Sequence, residues 1–154
     1  MALRSPETID KPVRILLVDD NRHGLVARKS ILEELGHEMT VSSDPVEALE
    51  VFRNGAFDLV ITDYKMPRMD GIELIANIRA ITPAMSVILI SGFVDALGLT
   101  EENTGSDAVV QKSANEVQQL VRAVTRVMRK RTPKKPAGSV TKTANLRANS
   151  KGVS

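Results

Sequence analysis

The chain of 154 residues has no cysteine and no tryptophan, and only one tyrosine and three phenylalanines. Without cysteine there are no disulfides, no thiolate metal ligands and no thiol nucleophile. The two histidines, His23 and His37, are too few for a histidine-rich zinc site. No run approaches the roughly 20 apolar residues of a membrane span. The polar start, Met1 to Pro12 with Glu7 and Asp10, lacks the apolar stretch of a signal peptide. A cytoplasmic protein with no membrane span is expected.

What is present is an ordinary globular composition, 42% hydrophobic, which excludes wholesale disorder. The net charge of +2 hides a division. Through Met128 the chain carries 13 basic and 19 acidic residues, a net of −6, and residues 129–154 carry eight basic groups and no acid. From Thr132 onward the sequence is rich in proline, glycine and small polar residues without an apolar period. Such a segment cannot bury enough surface to offset its ordering entropy and reads as a flexible basic tail. It has no aromatic residue for base stacking, so no specific nucleic-acid partner is expected.

Apolar runs alternate with helical patterns five times. Val13 to Val18, Phe57 to Thr62 and Val87 to Ile90 are too continuous for half-exposed strands and suit the middle of a parallel sheet. His37 to Ser42 is a more polar edge strand, and Ala108 to Val110 a short fifth. Leu25, Leu32 and Leu35 mark a first helix that Gly36 stops. Asp44-Pro45-Val46-Glu47 opens a second, with Asp44 as cap, Pro45 at the first helical position and Glu47 completing a capping box. Ala48, Leu49 and Phe52 line its inner face. Ile72, Ile75 and Ile78 mark a third helix. Val117, Leu120, Val121, Val124 and Met128 draw the apolar stripe of the last. Between strands four and five, Asp95 to Asn103 is a poor helix interrupted by Gly98. Strands each followed by a helix imply an α/β fold: a five-stranded parallel sheet with helices on both faces.

Ligands of open parallel sheets sit outside the carboxyl ends of the strands. Strand one ends in Asp19-Asp20, strand three in Asp63, strand four in Ser91-Gly92, and strand five runs to Lys112. Asp19-Asp20 alone reads as a turn and helix cap, and Asp63, Ser91 or Lys112 alone as an ordinary loop or surface residue. Their occurrence together at one sheet edge makes that account improbable. Three acids in one pocket repel one another and need a cation. Oxygen ligands without histidine or cysteine select a hard ion, and Mg²⁺ suits a site with room for water and phosphate. Beside it, Asp63 would be a nucleophile able to form an aspartyl phosphate, with Lys112 offsetting phosphoryl charge.

Leu17-Val18-Asp19-Asp20-Asn21, the stretch from Phe57 through Asp63 and Met66-Pro67 to Asp70-Gly71, Ser91-Gly92 and Lys112 together resemble the receiver domains of two-component response regulators. The likeness covers Val13 to Lys130. It implies the strand order 2-1-3-4-5 and makes Asp63 the phospho-acceptor. Asp20 and Asp63 would ligate the metal directly, Asp19 through water, and the Lys65 carbonyl would be a further ligand. Ser91 would be the switch hydroxyl, Lys112 the phosphate-pairing ammonium, and Gly92 would leave the approach to Asp63 open. Three positions depart from the family. Ser113 stands where a cis proline usually follows the lysine, Val109 stands where an aromatic residue often couples to the output face, and the fourth helix is weak.

The organisation expected is an N-terminal extension over 1–11, a receiver domain over 12–131 and a basic tail over 132–154. The protein would be a single-domain response regulator and not an enzyme. It would be phosphorylated by a sensor histidine kinase or phosphotransfer protein and act on a downstream protein or by onward transfer. A haloacid-dehalogenase-type phosphatase would need an acid where Lys65 stands. A flavodoxin-like carrier would need a phosphate loop where Asn21-Arg22-His23-Gly24 stands. The remaining alternative is an interaction module of the same fold that works without phosphorylation, with the tail as contact site.

Overall fold

The computed structural model describes residues 11–131, with the backbone alone at Arg131. The expected extension over 1–11, apart from Lys11, and the expected tail over 132–154 lie outside the described residues. Five strands, β1 (Arg14–Val18), β2 (Glu38–Ser42), β3 (Leu59–Asp63), β4 (Ser86–Ser91) and β5 (Ala108–Gln111), form one parallel sheet in the order β2-β1-β3-β4-β5. The helices are α1 (Arg22–Glu34), α2 (Pro45–Asn54), α3 (Gly71–Ile81), the short α4 (Val94–Leu97) and α5 (Glu101–Thr104), and α6 (Glu116–Arg131).

The continuous apolar runs work because successive strand residues face opposite sides and both sides are covered. Ile15, Leu17, Ile61, Ile88 and Ile90 pack under Leu25 and Leu32 of α1 and Leu120, Val124 and Val127 of α6. Leu16, Val18, Val60, Val87 and Leu89 pack under Leu49 and Phe52 of α2 and Leu74, Ile75 and Ile78 of α3. β2 is the polar edge, with Glu38, Thr40 and Val41 exposed. Strand β3 starts two residues later than expected. Asp58 instead receives the Arg14 backbone N–H at 3.0 Å and its guanidinium at 3.1 Å, and Phe57 stacks on Phe52.

Local capping differs from the sequence reading in one place. Asp44 caps α2 by accepting the Val46 N–H at 3.0 Å, but Glu47 does not return to the Asp44 N–H. Ser42 Oγ accepts the Asp44 N–H at 3.3 Å in Glu47's place, and its one proton has Asp44 O at 3.0 Å and Glu47 Oε1 at 3.1 Å as acceptors. Full capping boxes form instead at Asp70–Glu73 and Thr100–Asn103. The weak fourth helix is two separate turns, α4 and α5. Gly98 between them sits at φ +63°, a left-handed conformation that glycine adopts at no steric cost.

Two expected core residues lie outside the core. Leu35 is 52% exposed and Val117 46% exposed, because each sits at a helix end where the apolar stripe passes the sheet margin. Leu74, in contrast, is fully buried while Ile72 is only half-buried. Leu74→Ala is therefore expected to cost about 2–5 kcal/mol, and Leu35→Ala within about 0.5 kcal/mol of zero. Urea unfolding of the two variants checks this ordering, and equal losses would contradict the assignment of the core.

Candidate functional site

Strand register determines what meets at the carboxyl edge. Val18 pairs with Thr62, Asp63 with Ile90, and Ser91 with Gln111. Asp19, Asp63, Ser91 and Lys112 consequently fall at or one step past the ends of four adjacent strands. Asp19, Asp20 and Asp63 each offer a carboxylate oxygen, and these lie within 4.8 Å of one another. Asp19 is 1% and Asp63 5% exposed, whereas Asp20 faces solvent.

Each buried acid has partners. Asp19 Oδ1 accepts the Asn21 N–H at 2.9 Å, and Oδ2 accepts from the Arg28 guanidinium. Lys112 Nζ stands 2.8 Å from Asp63 Oδ1. The described residues contain no cis peptide, so Lys112–Ser113 is trans and the ammonium still reaches Asp63. The Lys112 N–H donates to the Ser91 carbonyl at 2.9 Å, anchoring β5 to β4 at this end. Ser91 Oγ is buried and accepts the Phe93 N–H at 2.9 Å. A side chain at Gly92 would meet nothing nearer than Lys112 Cδ at 4.0 Å, so this flank is open. Lys65 is exposed on the loop after β3, its Nζ 5.6 Å from the Phe93 ring centre. Val109 is half-buried on β5.

Burial pushes the Asp63 carboxyl above its ordinary range. The Lys112 hydrogen bond and charge pull it back, the Asp19 charge pushes it up, and the Arg28 charge lowers it. The donor set is oxygen alone, two buried carboxylates and one open to water, which fits a hard divalent cation that keeps part of its water shell.

The family model for the response regulator receiver domain matches residues 15–125. The chain belongs to this receiver family. Over 122 residues it is 30% identical to the gliding motility regulatory protein of Myxococcus xanthus, covering 76% of this chain but 15% of that protein. It is 41% identical over 73 residues to the chemotaxis protein CheY-3 of Vibrio cholerae, covering 47% of this chain and 56% of that one. The chain thus spans less than two thirds of the length of these curated relatives. Among solved structures it is similar to the response regulator protein TrrA of Thermotoga maritima in complex with Mg²⁺-BeF. That similarity has a TM-score of 0.68 and 31% identity, and covers 75% of this chain and 98% of that one.

The receiver's β3–α3 loop holds the site from beneath. The Tyr64 N–H donates to Ile90 O at 2.8 Å, and the Gly71 N–H returns to Tyr64 O at 2.6 Å. A methyl at Gly71 would press into the Asp63 carbonyl and Leu89, so only glycine allows α3 to start this close to the strand end. Between them, the Met69 N–H closes on Pro67 O at 2.8 Å around Arg68, whose φ is +74°. A non-glycine residue held there stores strain, and the Arg68 guanidinium is tied to Asp44.

Three residues near the receiver site escaped the sequence reading. Phe93 follows Ser91-Gly92 and lies against Lys65. Arg28 interrupts the apolar stripe Leu25–Leu32 of α1, and Glu116 opens α6. The Arg28 guanidinium donates to Glu116 at 2.6 Å as well as to Asp19. Burial works against its charge, and the hydrogen bonds it donates to Glu116 and Asp19, with the charges of both, outweigh that and hold it charged. A basic residue between leucines of an inward helix face was the available signal.

The raised Asp63 pKa has a stability consequence whose sign can be stated. The folded state carries a penalised charge above the folded pKa and none below the ordinary 3.8, where both states are protonated. Without metal, Asp63→Asn is expected to be more stable than the parent near pH 7, with the advantage shrinking as pH falls toward 4. Urea unfolding across that range tests it; an advantage that grows on acidification would contradict it.

Proposed function

We propose that the chain is a phospho-acceptor and that Asp63 receives the phosphoryl group. The observation that carries this reading is Asp63 itself: a buried carboxylate within 4.8 Å of two other acids, with the Lys112 ammonium 2.8 Å from one of its oxygens. Holding three carboxylates this close costs free energy through their mutual repulsion, a cost that a bound cation would offset.

Asp19, Asp20, Asp63 and the Lys65 carbonyl would hold Mg²⁺, the ion present in the similar structure of TrrA. When bound, the ion supplies positive charge that offsets the three acids and the incoming phosphoryl oxygens. A free carboxylate oxygen of Asp63 attacks phosphorus, the bond from phosphorus to the donor atom breaks, and that electron pair leaves with the donor. Lys112 then meets charge on the phosphoryl oxygens. The Ser91 hydroxyl, whose oxygen already accepts the Phe93 N–H, keeps its own proton to donate to a phosphoryl oxygen. The open flank at Gly92 admits the donor.

Receiver domains take their phosphoryl group from histidine kinases, and a sensor histidine kinase or a phosphotransfer protein is the donor proposed for this chain. With valine at position 109, no ring on β5 is available to report the event. The output is assigned to the segment of α4 and α5, two four-residue turns hinged at Gly98 and joined to the site through Phe93. A downstream protein, or a second phosphotransfer step, would read that segment. The setting is the cytoplasm.

Incubation with acetyl phosphate and Mg²⁺ should add one phosphoryl group, read by intact mass, and omission of Mg²⁺ should prevent it. Asp63→Asn should abolish labelling. Asp20→Asn should slow it by about 10-fold or more through weakened metal binding. Labelling of Asp63→Asn at the parent rate would overturn the assignment.

A further inference from the structure

Helix α1 carries a side chain that the proposed phosphoryl chemistry does not use. Leu25, Arg28 and Leu32 share its inward face, and all three are buried. The Arg28 side chain is 8% exposed, a depth at which a guanidinium has to find its counter-charges within the protein. It finds two. Nη1 donates to Asp19 Oδ2 at 2.5 Å and Nε to Glu116 Oε2 at 2.6 Å. One cation therefore joins the acidic end of β1 to the first turn of α6.

The local sequence makes room for this bridge. A methyl at Gly24 would lie 2.9 Å from Arg28 Nη1 and 2.9 Å from Asp19 Oδ2. Any other residue there would press directly on the ion pair, so a residue that helices disfavour stands in the first turn of α1. With the Asn21 N–H on Oδ1 and Arg28 on Oδ2, both oxygens of Asp19 have partners before any metal enters. Asp20 is exposed, and Asp63 already faces Lys112.

We propose that Arg28 is a resident counter-ion of the acidic site, competing with the divalent cation for Asp19 and linking metal occupancy to α6 through Glu116. The inference rests on the reading of Asp19, Asp20 and Asp63 as a metal site. Glu116 shares the guanidinium and so sets how strongly Arg28 holds Asp19. When Glu116 is drawn away, Arg28 falls wholly to Asp19 and metal binds less well. When metal takes Asp19, Arg28 is released toward α6. Such coupling is reciprocal by linkage.

The test is calorimetric titration of Mg²⁺ into the full chain and two variants. Arg28→Met with Glu116→Leu removes one charge of each sign and keeps comparable apolar volume, leaving Asp19 with the Asn21 N–H on Oδ1 and with Oδ2 open to the ion. Its Mg²⁺ affinity should rise by about five-fold or more. Glu116→Gln, which leaves Asp19 as the only charged partner of Arg28 among those it bonds, should bind Mg²⁺ more weakly than the parent. Equal or weaker binding by the double variant would overturn the competition while leaving the metal site standing. Affinity of Glu116→Gln at or above the parent's would overturn the link to α6. Absence of Mg²⁺ binding in both the parent and the double variant would overturn the metal site and this inference together.

Discussion

Three carboxylates held within 4.8 Å of one another form an unfavourable arrangement, and much of the molecule can be understood as the means of maintaining it. Like charges in a half-buried pocket raise each other's cost of ionisation. The receiver fold holds them together because parallel strands β1 and β3 end side by side, and the apolar packing on both sheet faces fixes that register. The repulsion is met by two cations of the chain itself, Lys112 against Asp63 and Arg28 against Asp19. The opposite end of the sheet shows the ordinary alternative. There Arg14 pairs with Asp58 and Arg79 with Asp107, and no carboxylates are crowded together as they are at the carboxyl edge among the described residues.

The two internal cations differ in kind. Lys112 is about one-third exposed and carries its charge on a flexible stem from the end of β5. Arg28 is buried and planar and divides its guanidinium between two carboxylates, so its movement is confined to the line between Asp19 and Glu116. The site thus has a partly exposed positive group facing Asp63 and a buried one behind it, shared between Asp19 and Glu116. Gly71 and Gly24 serve the same end by different means. The first lets α3 approach the end of β3, and the second leaves space for the guanidinium.

The fold was legible because β1, β3 and β4 are continuous apolar runs, which only a sheet covered on both faces can bury. Asp19, Asp20, Asp63, Ser91 and Lys112 were legible because a parallel sheet delivers every strand end to one edge. Arg28 and Glu116 were not, since helical periodicity is read from apolar positions and a charge inside the stripe looks like a gap in it. Leu35 and Val117 misled for the converse reason: the period continues past the point where the sheet can cover it. The Glu47 cap failed as a pairwise rule because Ser42, five positions before Glu47, accepts the Asp44 N–H that the box would use.

The central claim is that the acidic pocket lacks positive charge that a bound divalent ion supplies. Urea unfolding over a Mg²⁺ series at pH 7, with ionic strength held constant by potassium, measures this without any phosphoryl donor. Stability should rise by about 1.4 kcal/mol for each tenfold increase in Mg²⁺ above its dissociation constant, and Asp20→Asn should flatten that rise. Unfolding that is the same at every Mg²⁺ concentration would contradict the account.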